Sequence, residues 1–325
     1  MSHDSCPKPG QLFCYTTAVI TYYFRTIKDD SLKTINELRN GVWIHAQKPT
    51  GEELAELWQK LSLDENLLED AQDFFEVPRM EKVDDATYFF TRYPYNEQKE
   101  DTDTAPLLIV VGETFVLTVA QRDVPQLESL SNGQVTVHTT QKTKLFLQIM
   151  QQITESFEQQ LVRLRRAVHK DRVRLRKIGN QEIVRFVNYE HRLNDMVAAV
   201  MPTNASLQQV MNGNYFPVFE DDKEFVDDLR IDNNQVVDSA RTLLKTIQNV
   251  RSAAEAILAN NLNSRIKTLT VLTILLTIPT IISSLYGMNV DLPLQNEPFA
   301  FAFVVATVIA AVSIVVWYFK KNEWF

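Results

Sequence analysis

Cysteine is nearly missing from this sequence: 325 residues include only two, Cys6 and Cys14. Such a pair provides neither a disulfide framework nor a zinc-ligand set, so the soluble part suits a reducing compartment. Basic residues are outnumbered, with 33 Lys and Arg against 41 Asp and Glu, which argues against nucleic acid as a partner. No nucleophile–base pair, glycine-rich phosphate loop or paired-carboxylate motif stands out, and we predict that the protein is not an enzyme.

Charged residues are also scarce in two apolar runs near the end of the chain, residues 266–285 and 299–319. Each holds about 20 residues, enough for a helix to cross a hydrocarbon core of about 30 Å. The second run ends in Trp317, Tyr318 and Phe319, an aromatic belt typical of a membrane interface. A buried core helix is the alternative, but two successive runs favour membrane spans.

Basic residues indicate how these spans are oriented. They precede the first span and follow the second, at Arg265, Lys267, Lys320 and Lys321. The loop between the spans has no Lys or Arg and carries Asp291 and Glu297. The positive-inside rule therefore predicts a multi-pass protein of the plasma (inner) membrane with both termini in the cytoplasm.

Glycine and proline are absent from Val218 to Ile278. Apolar residues recur there at helical spacing, at Val236, Ala240, Leu243, Ile247, Val250, Ala254 and Ile257. The pattern predicts one continuous helix that runs from the cytoplasmic domain into the bilayer. Such a helix cannot bury its apolar stripe alone, so we expect partner helices, most simply copies of itself around an axis.

Hydroxyl residues follow one face of the first span, at Thr270, Thr273, Thr277, Thr280 and Ser284. One interpretation is tight helix packing, with the hydroxyls bonded back to their own helix. The other is the wall of a pore built from several protomers, in which Ile266 and Leu269 form an apolar ring that gates by dewetting. Pro279 is expected to kink or loosen this span.

The first span ends in the motif Tyr286-Gly287-Met288-Asn289. With the long helix before it, the short loop, the second span and the basic tail KKNEWF, this motif resembles the CorA family of divalent-cation channels. The resemblance covers about residues 20–325 and includes FVDDLRIDN. It implies an α/β cytoplasmic domain, a long stalk helix and two transmembrane α-helices in a funnel-shaped homopentamer. The implied cargo is Mg²⁺, with Co²⁺ or Ni²⁺ as further ions, moving down the electrochemical gradient.

The resemblance also implies roles for individual residues. The selectivity filter would be Gly287, Met288 and Asn289, with a ring of Asn289 amides at the pore mouth. The pore lining would be Asn263, Ile266, Leu269, Thr273, Thr277, Thr280 and Ser284. This chain has VDLPLQNEP where many members continue with Met-Pro-Glu-Leu, so Asp291 and Glu297 are only general candidates for concentrating cations.

Regulation is expected at the acidic start of the long helix, where residues 220–232 carry seven carboxylates. The resemblance implies that cytoplasmic Mg²⁺ binds between protomers at Asp228, with Asp227 and Asp232 nearby, and holds the pore shut. The partner carboxylate stays open, with the acidic residues 97–103 as one candidate. A solvated face is the alternative for each of these acids.

Strands are predicted at residues 20–24, 42–44, 87–92, 107–111 and 114–120. Capping-box spacings at Thr50/Glu53 and Ser62/Glu65 predict the starts of two short helices.

The chain is predicted to divide into seven parts. These are 1–19, a disordered extension without a signal peptide; 20–141, the α/β domain; 142–217, cytoplasmic helices broken near Gly179; 218–285, the stalk helix and first span; 286–298, the outer loop; 299–319, the second span; and 320–325, a basic tail.

One segment fits none of these roles: residues 163–177 are strongly basic. They suit a solvated helix face, in part paired with the acids of 220–232, or contact with anionic lipid or polyanions. Two alternatives to the magnesium channel stay open. One is a ZntB-like transporter of zinc or another transition metal, against which Met288 argues. The other is a non-conducting, membrane-anchored sensor.

Overall fold

The computed structural model describes residues 20–98, 101–173, 180–213, 215–288 and 298–322. Contacts divide the chain into two compact units, the first made of residues up to 173 with 184–247, the second of 174–183 with 248 onward. The expected extension at 1–19, the break at Gly179 and most of the outer loop lie outside the described residues.

A seven-stranded mixed sheet forms the centre of the first unit. Its strands are β1 (Ile20–Phe24), β2 (Lys33–Ile35), β3 (Val42–Gln47), β4 (Arg79–Val83), β5 (Ala86–Gln98), β6 (Asp101–Val111) and β7 (Phe115–Ala120). Their spatial order is β2-β1-β3-β7-β6-β5-β4, and β3 with β7 is the parallel pair. The order brings the most apolar strands to the middle, where both faces are covered.

Helices cover the sheet on both faces. On one face α1 (Gly51–Lys60) buries Trp58 and α2 (Asn66–Asp70) buries Leu67, in a cluster with Ile44 and Leu117 of the sheet. On the other face Phe146 packs edge-on against Phe89 of β5, with ring centroids 5.0 Å apart. The helix α3 (Glu128–Ser131) follows a short 3-10 turn after the last strand.

The helical part begins with α4 (Lys142–Val173) and α5 (Asn180–Met211). Then α6 (Glu220–Tyr286) runs without interruption for 67 residues, and α7 (Ala300–Lys321) ends the described chain. These bounds agree with the predicted continuous helix and the two apolar runs. Pro279 lies inside α6.

The apolar stripe of α6 is already buried in a single chain, through Ala254, which is 0% exposed, whereas Ile257 is 39% exposed. The predicted need for partner helices is met as far as Ala254 by helices of the same chain, not by copies of α6. Helices of its own chain supply cover, as where Thr154 of α4 donates a hydrogen bond to Asn233 of α6. Beyond Ala254 most of the apolar surface of the helix is exposed, with Val271 buried.

The structure contains the five strands predicted from the sequence and one of the two predicted capping boxes. The prediction that Ser62 caps a second helix was wrong. Thr50 and Glu53 form the predicted capping box on α1. Ser62 instead has a φ of 52°, and α2 begins later, at Asn66, with no side-chain cap on Glu65. The left-handed backbone at Ser62 turns the chain out of α1, so its hydroxyl cannot start a helix.

Candidate functional site

The two apolar helical segments lie on the surface of the protein. In the most apolar stretch of 18 consecutive residues, 6% of the residues are buried in α6 and none in α7. A core helix of a soluble protein would be mostly covered, so that alternative does not fit these segments. An uncovered apolar surface of this length requires an apolar surrounding, and both helices are long enough to cross a bilayer.

The hydroxyl stripe of α6 has a regular hydrogen-bond pattern. The hydroxyls of Thr270, Thr273, Thr277 and Thr280 each donate to the carbonyl oxygen four residues earlier, at 2.8–2.9 Å. This is the bond that the packing interpretation expected. It engages the proton of each hydroxyl and leaves oxygen lone pairs directed away from the helix, so the stripe presents acceptors.

The residues predicted to line a pore share this face. At about 100° per residue they fall within roughly a third of the helix circumference. All seven are exposed in the single chain: Asn263, Ile266, Leu269, Thr273, Thr277, Thr280 and Ser284. The last four also line one surface groove along α6. The face is therefore free to contact water or another chain.

The motif begins where α6 ends. Tyr286 is the last helical residue, and the Gly287 N–H donates to the carbonyl oxygen of Ser283 at 3.0 Å. A side chain on Gly287 would place its Cβ 3.3 Å from that same oxygen, so the close turn favours glycine. The side chain of Met288, the next residue, is 53% exposed. Asn289, Asp291 and Glu297 lie outside the described residues.

The three acids predicted for regulation have different surroundings. Asp227 accepts a hydrogen bond from Nη2 of Arg230 at 2.7 Å, whereas Asp228 and Asp232 are exposed. Among the described residues, no group of three or more His, Cys, Asp or Glu side chains is arranged to hold a metal ion. Within one chain, then, Asp228 is an open carboxylate and Asp227 is already paired.

Sequence reasoning missed the carboxylates that lie near Asp232. Burial raises the pKa of Glu158 on α4, and the charges of Asp232 and Glu155 raise it further. These groups come from helices about 75 residues apart in the sequence, and the only local sign was two glutamates three residues apart within α4.

The basic side chains of α4 lie on the surface. Arg163, Arg165, Arg166, His169, Lys170 and Arg172 are all exposed. None of them forms an ion pair with a described residue, so the suggested pairing with the acids of 220–232 is not found there. Asp171, between them, is 7% exposed and accepts a hydrogen bond from the Tyr189 hydroxyl at 3.0 Å.

Known proteins resemble this chain over most of its length. The family described as CorA-like Mg²⁺ transporter protein matches residues 39–321. The cobalt/magnesium transport protein CorA of Methanocaldococcus jannaschii is 24% identical over 294 residues, which are 87% of this chain and 91% of that protein.

Solved structures show the same fold. The complete structure of the CorA magnesium transporter from Methanocaldococcus jannaschii matches with a TM-score of 0.81 and 22% identity, covering 95% of this chain and 99% of that chain. The cytoplasmic domain of ZntB from Vibrio parahaemolyticus matches with a TM-score of 0.62 and 7% identity, covering 74% of this chain and 98% of that chain. The predicted order of α/β domain, long helix and two C-terminal apolar helices is confirmed.

Proposed function

Because the chain belongs to the family of CorA-like Mg²⁺ transporter proteins, we propose that it is one protomer of a membrane channel for Mg²⁺. The observation that carries this proposal is the exposed acceptor stripe of α6, which leads to the Tyr-Gly-Met-Asn motif. The names of its relatives support Mg²⁺, with Co²⁺ as a further ion. Ni²⁺ is a third candidate for the same pathway.

The chemistry of the stripe suits a hydrated cation. Mg²⁺ gives up its water reluctantly and holds it octahedrally, so a pore has to contact the hydrogen atoms of that water shell. Threonine hydroxyls whose protons are engaged by the helix offer oxygen acceptors at that distance. The amide oxygens of Asn289 would provide the corresponding ring at the entrance, where Gly287 and Met288 complete the filter.

One chain is not sufficient for such a pathway. A single α6 presents an acceptor face but encloses nothing, so several copies have to surround an axis. We infer a homopentamer in the lipid bilayer, with Ile266 and Leu269 as an apolar constriction below the threonines. An inside-negative potential would drive entry with about 4.6 kcal/mol per 100 mV for a double charge, twice the value for a single charge. Both termini would be cytoplasmic.

Gating by cytoplasmic Mg²⁺ is part of the same proposal. Asp228 is exposed on α6 while its neighbour Asp227 is paired with Arg230. An open carboxylate at this point is available to a cation shared with a neighbouring protomer. The bound ion would offset repulsion between acidic protomers and hold them together, and its loss would loosen them and open the pore.

The first experiment measures Mg²⁺ entry into proteoliposomes under an inside-negative potential, for the wild type and for Asn289→Ala. We expect clear entry in the wild type and its collapse in the variant. Asn322→Ala is the matched control, because it removes the same amide at the end of α7, where the side chain donates to Tyr318 at 3.0 Å. The control should conduct like the wild type. Native mass measurement of each protein in detergent should show five chains.

Other results would support other functions. Transport of zinc driven by a proton gradient, without Mg²⁺ entry, would favour the ZntB-like alternative, whose cytoplasmic fold this chain shares. Silence toward every divalent cation from correctly assembled protein would contradict the channel and support the membrane-anchored sensor.

A further inference from the structure

A cleft lies between α4 and α6 in the first unit. Its polar lining consists of Arg165, His169 and Arg172 from α4 and Ser239, Thr242 and Thr246 from α6. Its volume is about 230 Å³. We call it the α4–α6 cleft. Its α4 residues belong to the basic segment 163–177, which has no role in the proposed transport function.

The three α4 side chains converge because of their spacing. Residues four and seven positions apart lie on one face of a helix, so Arg165, His169 and Arg172 line the same wall. Val168 and Leu243 form the floor of the cleft and are buried, at 2% and 7% exposure. The two guanidinium groups therefore lie beside a buried apolar floor, with their side chains exposed to solvent.

Nearby acids do not neutralise this wall. Asp171 is buried and engaged by Tyr189, with Nε of Arg185 3.7 Å away. Asp238 lines the adjoining groove with Arg165 but does not line the α4–α6 cleft. Among described residues, neither Arg165 nor Arg172 has an ion-pair partner. The cleft thus carries two guanidinium groups that form no ion pair with a described residue.

We propose that the α4–α6 cleft binds a phosphate-type oxyanion. Guanidinium groups donate paired hydrogen bonds that match two oxygens of a phosphate, and two of them approach from one wall. Ser239 adds a hydroxyl on the opposite wall. Thr242 and Thr246 donate to their own helix, to the Asp238 and Thr242 carbonyls at 2.8 and 3.0 Å, so they border the site without donating to the anion.

The size of the cleft restricts what it holds. Its volume lies below the roughly 300–1,000 Å³ of pockets for drug-sized ligands, and suits a phosphate or pyrophosphate group rather than a whole cofactor. Such a group comes from a soluble phosphate compound or from a phospholipid headgroup. Binding here is separate from ion conduction and does not depend on it.

The test uses the full-length protein in nanodiscs of zwitterionic phosphatidylcholine, without Mg²⁺ and at fixed ionic strength. Calorimetry measures the binding of inorganic pyrophosphate to the wild type, to the double variant Arg165→Gln/Arg172→Gln and to the control Arg163→Gln/Arg166→Gln. The control removes the same charge from the same helix outside the cleft. We expect affinity about tenfold or more lower in the cleft variant and within about twofold of wild type in the control.

A parallel arm identifies the source of the phosphate. Phosphatidylglycerol in the nanodisc should lower the apparent affinity for pyrophosphate if lipid headgroups compete for the cleft, and should leave it unchanged if the ligand is soluble. Equal weakening in both double variants would overturn the site, because it would show only general attraction to a basic helix. Absence of pyrophosphate binding, together with equal retention of phosphatidylglycerol by the wild type and the cleft variant, would overturn it as well.

Discussion

Thr277 shows how a residue of the stripe serves two partners. Its hydroxyl donates to the Thr273 carbonyl at 2.8 Å, and its oxygen faces the groove on α6. Thr307 on α7 makes the same bond to Phe303 at 2.9 Å. Threonines in both helices therefore donate to the carbonyl oxygen four residues earlier. This hydrogen bond does not distinguish a pore-facing surface from a lipid-facing one. The distinction depends on what the oxygen meets.

Replacing Thr277 with valine tests that distinction. Thr277→Val keeps the side-chain shape and removes the acceptor, so we expect Mg²⁺ entry to fall by about tenfold, as for loss of a hydrogen bond to a charged species. Thr307→Val is the matched control and should leave entry within about twofold of wild type. Flux assays in proteoliposomes measure both. Equal flux in the two variants would count against a pore-facing stripe.

A second residue, His45, links pH to stability. It is 9% exposed in β3, with Nδ1 2.8 Å from the Thr118 hydroxyl and Nε2 3.1 Å from Oε1 of Gln47. Burial lowers the pKa of His45 below its usual value of about 6.5, since the charged ring would lose its hydration.

Stability is therefore expected to fall as the pH drops below about 6.5. In that range His45 binds a proton in the unfolded chain but not in the folded chain. Proton binding therefore stabilises the unfolded state and lowers the free energy of unfolding. The thermal midpoint of the protein in detergent should be lower at pH 5.5 than at pH 7.5. His45→Gln should reduce this difference, while His191→Gln, at an exposed position, should preserve it. An unchanged difference in His45→Gln would contradict the assignment.

At the scale of elements, α1 and the turn after it show why similar sequence patterns differ in effect. The Thr50 hydroxyl accepts from the Glu53 N–H at 3.2 Å, and Oε2 of Glu53 accepts from the Thr50 N–H at 2.8 Å. The same spacing at Ser62 and Glu65 forms no box, because Ser62 closes the turn that follows α1. A capping box requires extended backbone at its first residue.

Alanine substitutions at Thr50 and Ser62 are therefore expected to differ in their effect on stability. Thr50→Ala should lower the free energy of unfolding by about 1 kcal/mol, the usual cost of losing a helix cap. Ser62→Ala should change it by less than about 0.5 kcal/mol, as for most surface substitutions. Chemical unfolding followed by tryptophan fluorescence measures both, since Trp58 is buried at the end of α1. A larger loss for Ser62→Ala would contradict the assigned turn.

At the scale of the whole molecule, α6 belongs to two different surroundings. Its first half packs among the helices of its own chain, with Ile247 fully buried. Its later residues present an open apolar surface with one hydroxyl face. The same helix thus carries both the carboxylates near residue 228 and the residues of the proposed pore face.

This connection predicts how Asp228 affects regulation. Asp228→Asn removes a charged ligand from the proposed site between protomers, so closure should need more cytoplasmic Mg²⁺, with the half-inhibitory concentration several-fold higher. Asp221→Asn is the control, because it removes an exposed acid from the first turn of α6. Channel currents at increasing cytoplasmic Mg²⁺ measure the shift. The same shift in both variants would indicate a general charge effect and contradict a specific site.

The two apolar helices, the continuous α6, the hydroxyl stripe and the central strands could all be predicted from the residues alone. These features follow from composition and periodicity, which depend only on residues that are close in the sequence. The edge strands β2 and β4 were missed because they are short and polar, and pairing with a neighbouring strand is what holds them in the sheet.

Contacts between side chains that are distant in the sequence could not be predicted in this way. The fold places Asp232 near Glu158 and covers the stripe of α6 as far as Ala254. It also leaves Arg165 and Arg172 without an ion pair to any described residue. Charge and hydropathy along the chain do not specify these side-chain contacts, because the contacts depend on how α4 and α6 pack in space. The physical reason is that burial and electrostatic contact are properties of neighbours in three dimensions, whereas helical period is a property of neighbours in sequence.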